Sequence, residues 1–218
     1  MQDFNFQECE TLLNQYRIPP SKELVHYIQL LLDWNEKINL TGAKDLKTLV
    51  IKHIADAWGA YLAINKEMST HVYDVGSGGG LPGIPLCIFS AVTKTTLVER
   101  TLKKAKALND MIEKLALSKR CQTLCVPFEN IQTINKFTHF WFRGFLPGPK
   151  LATYLSHFFP GARLGRLVLM KGPSWHAEKE ALLKMYSLKK TWKIRFLESK
   201  EIPYELPEDS GKRFLILV

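Results

Sequence analysis

Five glycines within eight residues, directly after a short apolar stretch, constrain this chain more than any other feature. Val72–Val75 has the composition of a buried strand, and Gly83–Phe89 has the pattern of a helix. Glycines between a strand and a helix permit positive φ angles and let the backbone approach a ligand closely. The free N–H groups at the start of the following helix favour a negatively charged or polar group. The sequence therefore predicts a ligand-binding loop over residues 74–83, at the carboxyl end of a strand.

Strands and helices alternate from residue 71 onward. The predicted strands after the first are Thr95–Glu99, Gln122–Val126, His139–Phe142 and Leu167–Met170. The predicted helices after Gly83–Phe89 are Lys103–Leu117, Lys150–Phe159 and His176–Tyr186. Thr191–Leu197 and Arg213–Val218 are expected to close the chain as an antiparallel pair. Such alternation predicts an α/β fold, in which helices cover both faces of a mostly parallel sheet.

The first 65 residues have a different pattern, which is helical throughout. Amphipathic periodicity predicts helices over Phe6–Tyr16, Glu23–Ile38 and Asp45–Ile64, with Ser21 as the N-cap of the second. We therefore expect an N-terminal helical segment over residues 1–65, packed on a ligand-binding domain over residues 66–218.

Composition narrows the class of protein. The net charge is +9, and residues 71–218 carry 23 Lys and Arg against 12 Asp and Glu. Such a surplus suits a phosphate backbone or an anionic membrane surface, although a solvated face without a partner is equally compatible with it. Four cysteines in a chain of 218 residues do not form a disulfide framework, so we expect reduced thiols. We see neither a secretory signal nor an apolar stretch long enough for a membrane helix, and we expect a cytoplasmic protein.

Three kinds of ligand compete for the glycine loop. A nucleoside triphosphate is disfavoured, because no Lys-Ser or Lys-Thr follows the glycines. A dinucleotide fingerprint is matched in letters by Gly78, Gly80 and Gly83, but its register is late, since the turn begins at Gly76. The third pattern is Asp-x-Gly-x-Gly from Asp74, the nucleoside-binding motif of class I S-adenosylmethionine-dependent methyltransferases. Glu99, at the end of the second strand, is placed to bind ribose hydroxyls in either of the last two cases.

Several longer motifs resemble those of one family. They are Leu32–Thr41 with its Trp-Asn-x-x-x-Asn-Leu-Thr pattern, Lys52–Asp56, Asp74–Pro85, Leu97–Glu99 with Lys103-Lys104, Lys171-Gly172 and Gly211–Arg213. Together they resemble the 16S ribosomal RNA guanine-N7 methyltransferases, also called glucose-inhibited division protein B, over nearly the whole chain. The resemblance implies a class I methyltransferase fold with S-adenosyl-L-methionine as cofactor. It also implies one guanine of 16S rRNA, in the small ribosomal subunit, as acceptor.

The resemblance also implies a set of binding residues. Gly76 and Leu81 correspond to cofactor contacts around the loop, Phe128 and Glu129 to contacts at the adenine, and Arg143 to an arginine facing cofactor and substrate. Gly78 and Glu99 complete the cofactor-binding residues that we predict. Guanine N7 has a lone pair and no proton to remove, so we expect no catalytic acid or base, only positioning. We further expect a monomer without metal or membrane association.

Some positions depart from the family pattern or stay open. Pro127 stands where the family usually has an arginine, and Gly144 follows Arg143 where it has alanine. Lys171 could contact an RNA phosphate or form an ion pair. His53 and Asp56 lie one helical turn apart, and we expect a helix-packing pair. Other class I methyltransferase acceptors, and a non-catalytic RNA-binding or ribosome assembly factor, remain alternatives.

Overall fold

The apolar runs after residue 70 form one sheet of seven strands. The computed structural model describes residues 4–90, 93–131, 138–158, 165–188, 199–208 and 211–218. The strands are β1 (His71–Val75), β2 (Lys94–Val98), β3 (Cys121–Leu124), β4 (His139–Arg143), β5 (Arg166–Lys171), β6 (Lys200–Glu205) and β7 (Lys212–Leu217). Their order is β3-β2-β1-β4-β5-β7-β6, with β1 to β5 parallel and β7 antiparallel to both neighbours. The predicted α/β class, with its antiparallel C-terminal strand, is confirmed.

The helices lie on both faces of this sheet. They are α1 (Phe6–Gln15), α2 (Lys22–Lys37), α3 (Leu46–Leu49), α4 (Ala55–Ile64), α5 (Gly83–Phe89), α6 (Leu102–Lys114), α7 (Gly148–Phe158) and α8 (Trp175–Leu188). A π-helical turn spans Val50–Ile54, and 3₁₀ turns span Asn65–Glu67 and Phe128–Asn130. None of the helices in the described ranges has the length and apolar composition needed to cross a bilayer.

The strand order reverses between β1 and β4. From β1 the chain adds β2 and β3 on one side, whereas β4 and β5 lie on the other. The connections that follow β1 and β4 therefore diverge and leave a crevice at the carboxyl ends of these two strands. Ligands of open parallel sheets bind in such crevices.

Two elements differ from the sequence prediction. The helix predicted over Asp45–Ile64 is interrupted by the π-helical turn, which adds a residue to one turn and rotates the register of α4. On its outer side β7 pairs with β6, whereas the strand predicted as its partner, over Thr191–Leu197, lies outside the described residues. β6 contains Pro203, which cannot donate a ladder hydrogen bond and is tolerated because β6 is an edge strand.

The N-terminal helices share one hydrophobic core with the elements around the glycine loop. Tyr27 of α2 is fully buried, and its hydroxyl donates to the Gly79 carbonyl at 2.9 Å. Leu31, one turn later, is also fully buried, and its Cδ1 lies 2.7 Å from where a Cβ on Gly79 would be. The helix α2 thus packs against the glycine loop at Gly79. We therefore propose that the segment 1–65 and the domain 66–218 unfold as one cooperative unit.

Replacing Leu31 with alanine tests this packing. Leu31→Ala should lower the free energy of unfolding by about 2–5 kcal/mol, because it leaves a cavity beneath the loop. Urea denaturation followed by circular dichroism measures the change, and both proteins should unfold in one transition. Leu62→Ala is the control, because Leu62 on α4 is 51% exposed. Separate transitions for the two parts would contradict the proposal.

Candidate active site

The glycine loop takes conformations that other residues rarely adopt. Gly76, Gly78 and Gly80 have φ angles of +75°, +55° and +85°. The Gly76 N–H donates to the Val98 carbonyl at 2.9 Å, which ties the loop to the end of β2. The loop thus stays open toward the crevice while its backbone remains hydrogen-bonded.

Asp74, at the end of β1, closes the loop from inside. Its side chain is buried, and its Oδ2 accepts the Gly83 N–H at 3.0 Å. A Cβ on Gly83 would lie 2.8 Å from that same oxygen and against the Leu97 side chain, so only glycine fits. Burial raises the pKa of Asp74 to about 7, although its hydrogen bonds oppose the rise. The spacing from Asp74 to Gly83 thus sets where α5 begins.

A cavity of about 520 Å³ opens beside the loop, and we call it the loop cavity. Its size suits a small organic ligand. It is lined by the strand ends and by the segments that follow β2, β3 and β4. The lining residues are Val75, Gly76, Val98, Glu99, Arg100, Thr101, Lys104, Val126, Pro127, Phe128, Glu129, Gly144, Phe145, Leu146 and Tyr154.

Four of the predicted cofactor-binding residues line this cavity: Gly76, Glu99, Phe128 and Glu129. Glu99 Oε1 accepts the Thr101 N–H at 2.8 Å, and Oε2 accepts the Gly78 N–H at 3.1 Å. Each carboxylate oxygen can accept a further bond, so Glu99 retains capacity for a ligand hydroxyl. The buried Phe128 ring offers an apolar surface, and Glu129 accepts a hydrogen bond from the Tyr154 hydroxyl.

Two other predicted cofactor-binding residues, Gly78 and Leu81, do not line this cavity and lie on the side of the loop that faces the N-terminal helices. A Cβ on Gly78 would meet the Leu40 carbonyl oxygen at 3.4 Å, so this glycine faces the N-terminal segment. Leu81 is 6% exposed and belongs to the core shared with α1 and α2. Both residues shape the loop from its inner side.

Arg143 does not line the loop cavity but a second one, of about 500 Å³, which we call the arginine cavity. The structure therefore places Arg143 in the wall of the arginine cavity, and its predicted contact with the cofactor stays a prediction. The arginine cavity lies at the carboxyl ends of β4 and β5 and is rich in charged groups. The lining residues are Asp56, Arg143, Gly144, Phe145, Leu146, Pro147, Met170, Lys171, Gly172, Pro173, Glu178 and Arg213.

The Arg143 guanidinium is held by the N-terminal segment. Its Nε donates to Asp56 Oδ2 at 2.8 Å, and its Nη2 lies 2.8 Å from His53 Nδ1. Burial, followed by the charge of Arg143, lowers the pKa of His53 to about 4. Since arginine only donates, neutral His53 accepts at Nδ1 and carries its proton on Nε2, which lies 3.0 Å from Thr41 Oγ1. His53 and Asp56 thus contact Arg143, whereas a direct helix-packing pair between them was expected.

Asp56 connects four elements. It is 3% exposed, and its Oδ1 accepts the Tyr204 hydroxyl of β6 at 2.7 Å. The Nε atom of Arg213, on β7, lies 3.8 Å from the same oxygen, a long ion pair. Arg213 is therefore held less closely by Asp56 than Arg143 is, at 3.8 Å against 2.8 Å. Both side chains are about one fifth exposed, at 22% and 21%, and both line the arginine cavity.

Of the two roles left open for Lys171, the structure shows the ion pair. Lys171 Nζ donates to Glu178 Oε2 and to the Leu146 carbonyl, each at 2.9 Å. These bonds fix the segment of residues 144–146, which lines both cavities. Phe145 in this segment and Tyr154 on α7 were not predicted. Phe145 follows β4 closely, and this position at a strand end was the one signal that could have indicated it.

Among the described residues, no cluster of histidine, cysteine, aspartate or glutamate has the arrangement to hold a metal ion. The four cysteines are free, and three of them are buried.

Comparisons with known proteins agree with this architecture. The family model "GidB: rRNA small subunit methyltransferase G" matches residues 21–203. A ribosomal RNA small subunit methyltransferase G from Xylella fastidiosa is 32% identical over 196 residues, covering 89% of this chain and 84% of that protein. The enzyme of the same name from Chlorobium phaeobacteroides is 36% identical over 181 residues, covering 80% and 79%.

Solved structures share the fold at low sequence identity. The METTL16 methyltransferase domain has a TM-score of 0.56 at 12% identity and covers 99% of this chain and 92% of its own. The human methyltransferase 10 domain containing protein has a TM-score of 0.54 at 14% identity, with 98% of each chain covered. The fold is that of class I methyltransferases.

The buried Asp74 carboxyl predicts a pH-dependent stability. Its pKa rises from 3.8 in the unfolded chain to about 7 in the fold. Between these values the unfolded chain loses this proton and the folded chain keeps it, so this group's contribution to stability is full below pH 3.8 and is lost as pH rises through 7. Asp74→Asn keeps an acceptor for Gly83 and removes the titration.

The stability of Asp74→Asn relative to the wild type should therefore rise between pH 4 and 7. Urea denaturation at several pH values measures the difference. Asp33→Asn, which removes an exposed carboxylate from α2, controls for the loss of one charge. A constant difference across this range would show that Asp74 is ionised in the fold.

Proposed function

The chain belongs to the rRNA small subunit methyltransferase G family, and we propose that it transfers a methyl group from S-adenosylmethionine to N7 of one guanine of 16S rRNA. The observation that carries this proposal is the pair of adjoining cavities at the carboxyl ends of the strands, where the strand order reverses between β1 and β4. One lies beside a glycine loop with a carboxylate at its rim, and the other is lined by three basic and two acidic side chains. The names of the curated relatives support ribosomal RNA as the substrate class.

The residues of the loop cavity fit the proposed donor. When bound, S-adenosylmethionine supplies a methyl group on a positively charged sulfur. Gly76 leaves the loop backbone accessible, Glu99 offers carboxylate oxygens to the ribose hydroxyls, and Phe128 with Glu129 offers an apolar surface and an acceptor to the adenine. Carboxylates near a cationic ligand are also electrostatically favourable. We propose these four residues as the donor site, with Gly78 and Leu81 holding the loop in shape.

The arginine cavity suits the acceptor. Arg143, Lys171 and Arg213 outnumber the two acidic residues of its wall, Asp56 and Glu178, by one. The remaining positive charge favours an RNA phosphate or the acceptor-rich N7 and O6 edge of guanine. Guanine N7 carries a lone pair and no proton, so the reaction requires no general base. Holding donor and acceptor in line supplies most of the acceleration, up to about 7–11 kcal/mol in favourable cases. We therefore assign Arg143 to substrate contact and name no catalytic acid or base.

Pro127 lines the loop cavity at the position where the family usually has an arginine. Proline carries no charge and no N–H, so this chain offers no cation there. Arg100 and Lys104 line the same cavity and provide positive charge from the side of α6.

We propose that the protein acts as a cytoplasmic monomer on the small ribosomal subunit or its rRNA.

Methyl transfer to small subunits tests the proposal. The protein should label small subunits from a strain lacking this activity when given labelled S-adenosylmethionine, and digestion of the rRNA should yield N7-methylguanosine by mass spectrometry. Gly76→Val should abolish donor binding in calorimetry, because Val at a φ of +75° is strained and its Cβ would lie 2.9 Å from the Phe145 ring. Donor binding without RNA labelling would instead favour another acceptor or a non-catalytic factor.

Arg143→Ala distinguishes contact with substrate from contact with cofactor. Loss of this charge should lower kcat/KM for small subunits by about tenfold or more, while affinity for S-adenosylmethionine stays within about threefold. Arg166→Ala is the matched control, because Arg166 begins β5 and pairs with Glu67 away from both cavities. A parallel fall in donor affinity would make Arg143 a cofactor contact, and a fall in activity matched by lost stability would make it structural.

A further inference from the structure

The wall between the two cavities contains one aromatic side chain. Gly144, Phe145 and Leu146 are the residues that line both cavities. Phe145 is half-buried, and its ring lies against the glycine loop, with Cδ2 2.9 Å from where a Cβ on Gly76 would be. Gly144 has a φ of +60°, and apart from its two chain neighbours no described residue has an atom within 4 Å of its Cβ position.

The Phe145 ring is held in place from two sides. Its centroid lies 5.6 Å from that of Phe142 on β4 and 5.8 Å from that of Tyr154 on α7. The next residue, Leu146, is anchored through its carbonyl by Lys171. Phe145 therefore presents a surface of defined position to the cavities.

The proposed reaction brings its two partners to this wall. With the donor in the loop cavity and the guanine in the arginine cavity, the methyl group can pass only where the cavities adjoin. A base that has left its RNA stack loses stacking energy, which proteins commonly restore with an aromatic ring. Among the described residues that line the arginine cavity, Phe145 is the only aromatic one.

Resting on the proposed function, we propose that Phe145 is a positioning residue whose ring stacks on the acceptor guanine and aims N7 at the donor. Tyr154 and Phe128 line the loop cavity alone and cannot serve this purpose. The Arg143 guanidinium, also planar, is held by Asp56 and His53. The chemistry recognised is a flat purine face, which an aromatic ring binds more strongly than an aliphatic side chain does.

Three variants at this position test the proposal. Phe145→Leu and Phe145→Ala should each lower kcat/KM for small subunits by about tenfold or more, with affinity for S-adenosylmethionine within about threefold of the wild type. Phe145→Tyr, which keeps the ring, should have a kcat/KM for small subunits within about threefold of the wild type. Phe158→Ala is the matched control, because Phe158 is 43% exposed, packs on Tyr154 and lies outside both cavity linings.

Each outcome decides between the two proposals. Full activity of Phe145→Leu, with an active wild type, overturns the stacking role and leaves the proposed function intact. Loss of donor affinity in parallel with activity also overturns it, because the ring would then belong to the donor site. A wild type that binds the donor but methylates no RNA overturns the proposed function, and the acceptor role of Phe145 falls with it.

Discussion

The hydrogen bond between the buried Asp74 carboxyl and the Gly83 N–H is the interaction on which the candidate site depends. It joins the end of β1 to the start of α5 across nine residues, so the glycines between them must form a closed loop. A buried carboxyl without this partner would carry a large desolvation cost. This bond, and the Gly76 bond to the end of β2, fix the position of the loop backbone beside the loop cavity, which Gly76 lines.

The N-terminal helices take part in the site at two places. Tyr27 and Leu31 support the glycine loop from below, through a hydrogen bond and a packing contact at Gly79. At the other cavity, Asp56 and His53 orient Arg143. The helical segment is thus a structural part of both proposed binding sites. Its removal would expose apolar surface and would also release the arginine that we assign to the substrate.

The elements were largely predictable from the sequence, because strand and helix periodicities are local and glycines mark the loop. The contents of the cavities were only partly predictable. Glu99 and Phe128 follow strands and could be placed by that position alone. The orientation of Arg143 depends on Asp56, a residue 87 positions earlier. It also depends on His53, which lies in a π-helical turn that no local sequence pattern predicts. β6 was missed because Pro203 is typical of loops, and only its position at the sheet edge makes it acceptable there.

The central claim is that donor and acceptor occupy adjoining cavities separated by residues 144–146. A crystal structure of the protein with S-adenosylhomocysteine, the product that methyl transfer would leave, tests this claim most directly. The claim predicts that this molecule lies in the loop cavity, with its ribose at Glu99, its adenine near Phe128 and its sulfur directed at the segment 144–146. Binding in the arginine cavity, or with the sulfur directed away from that segment, would contradict it.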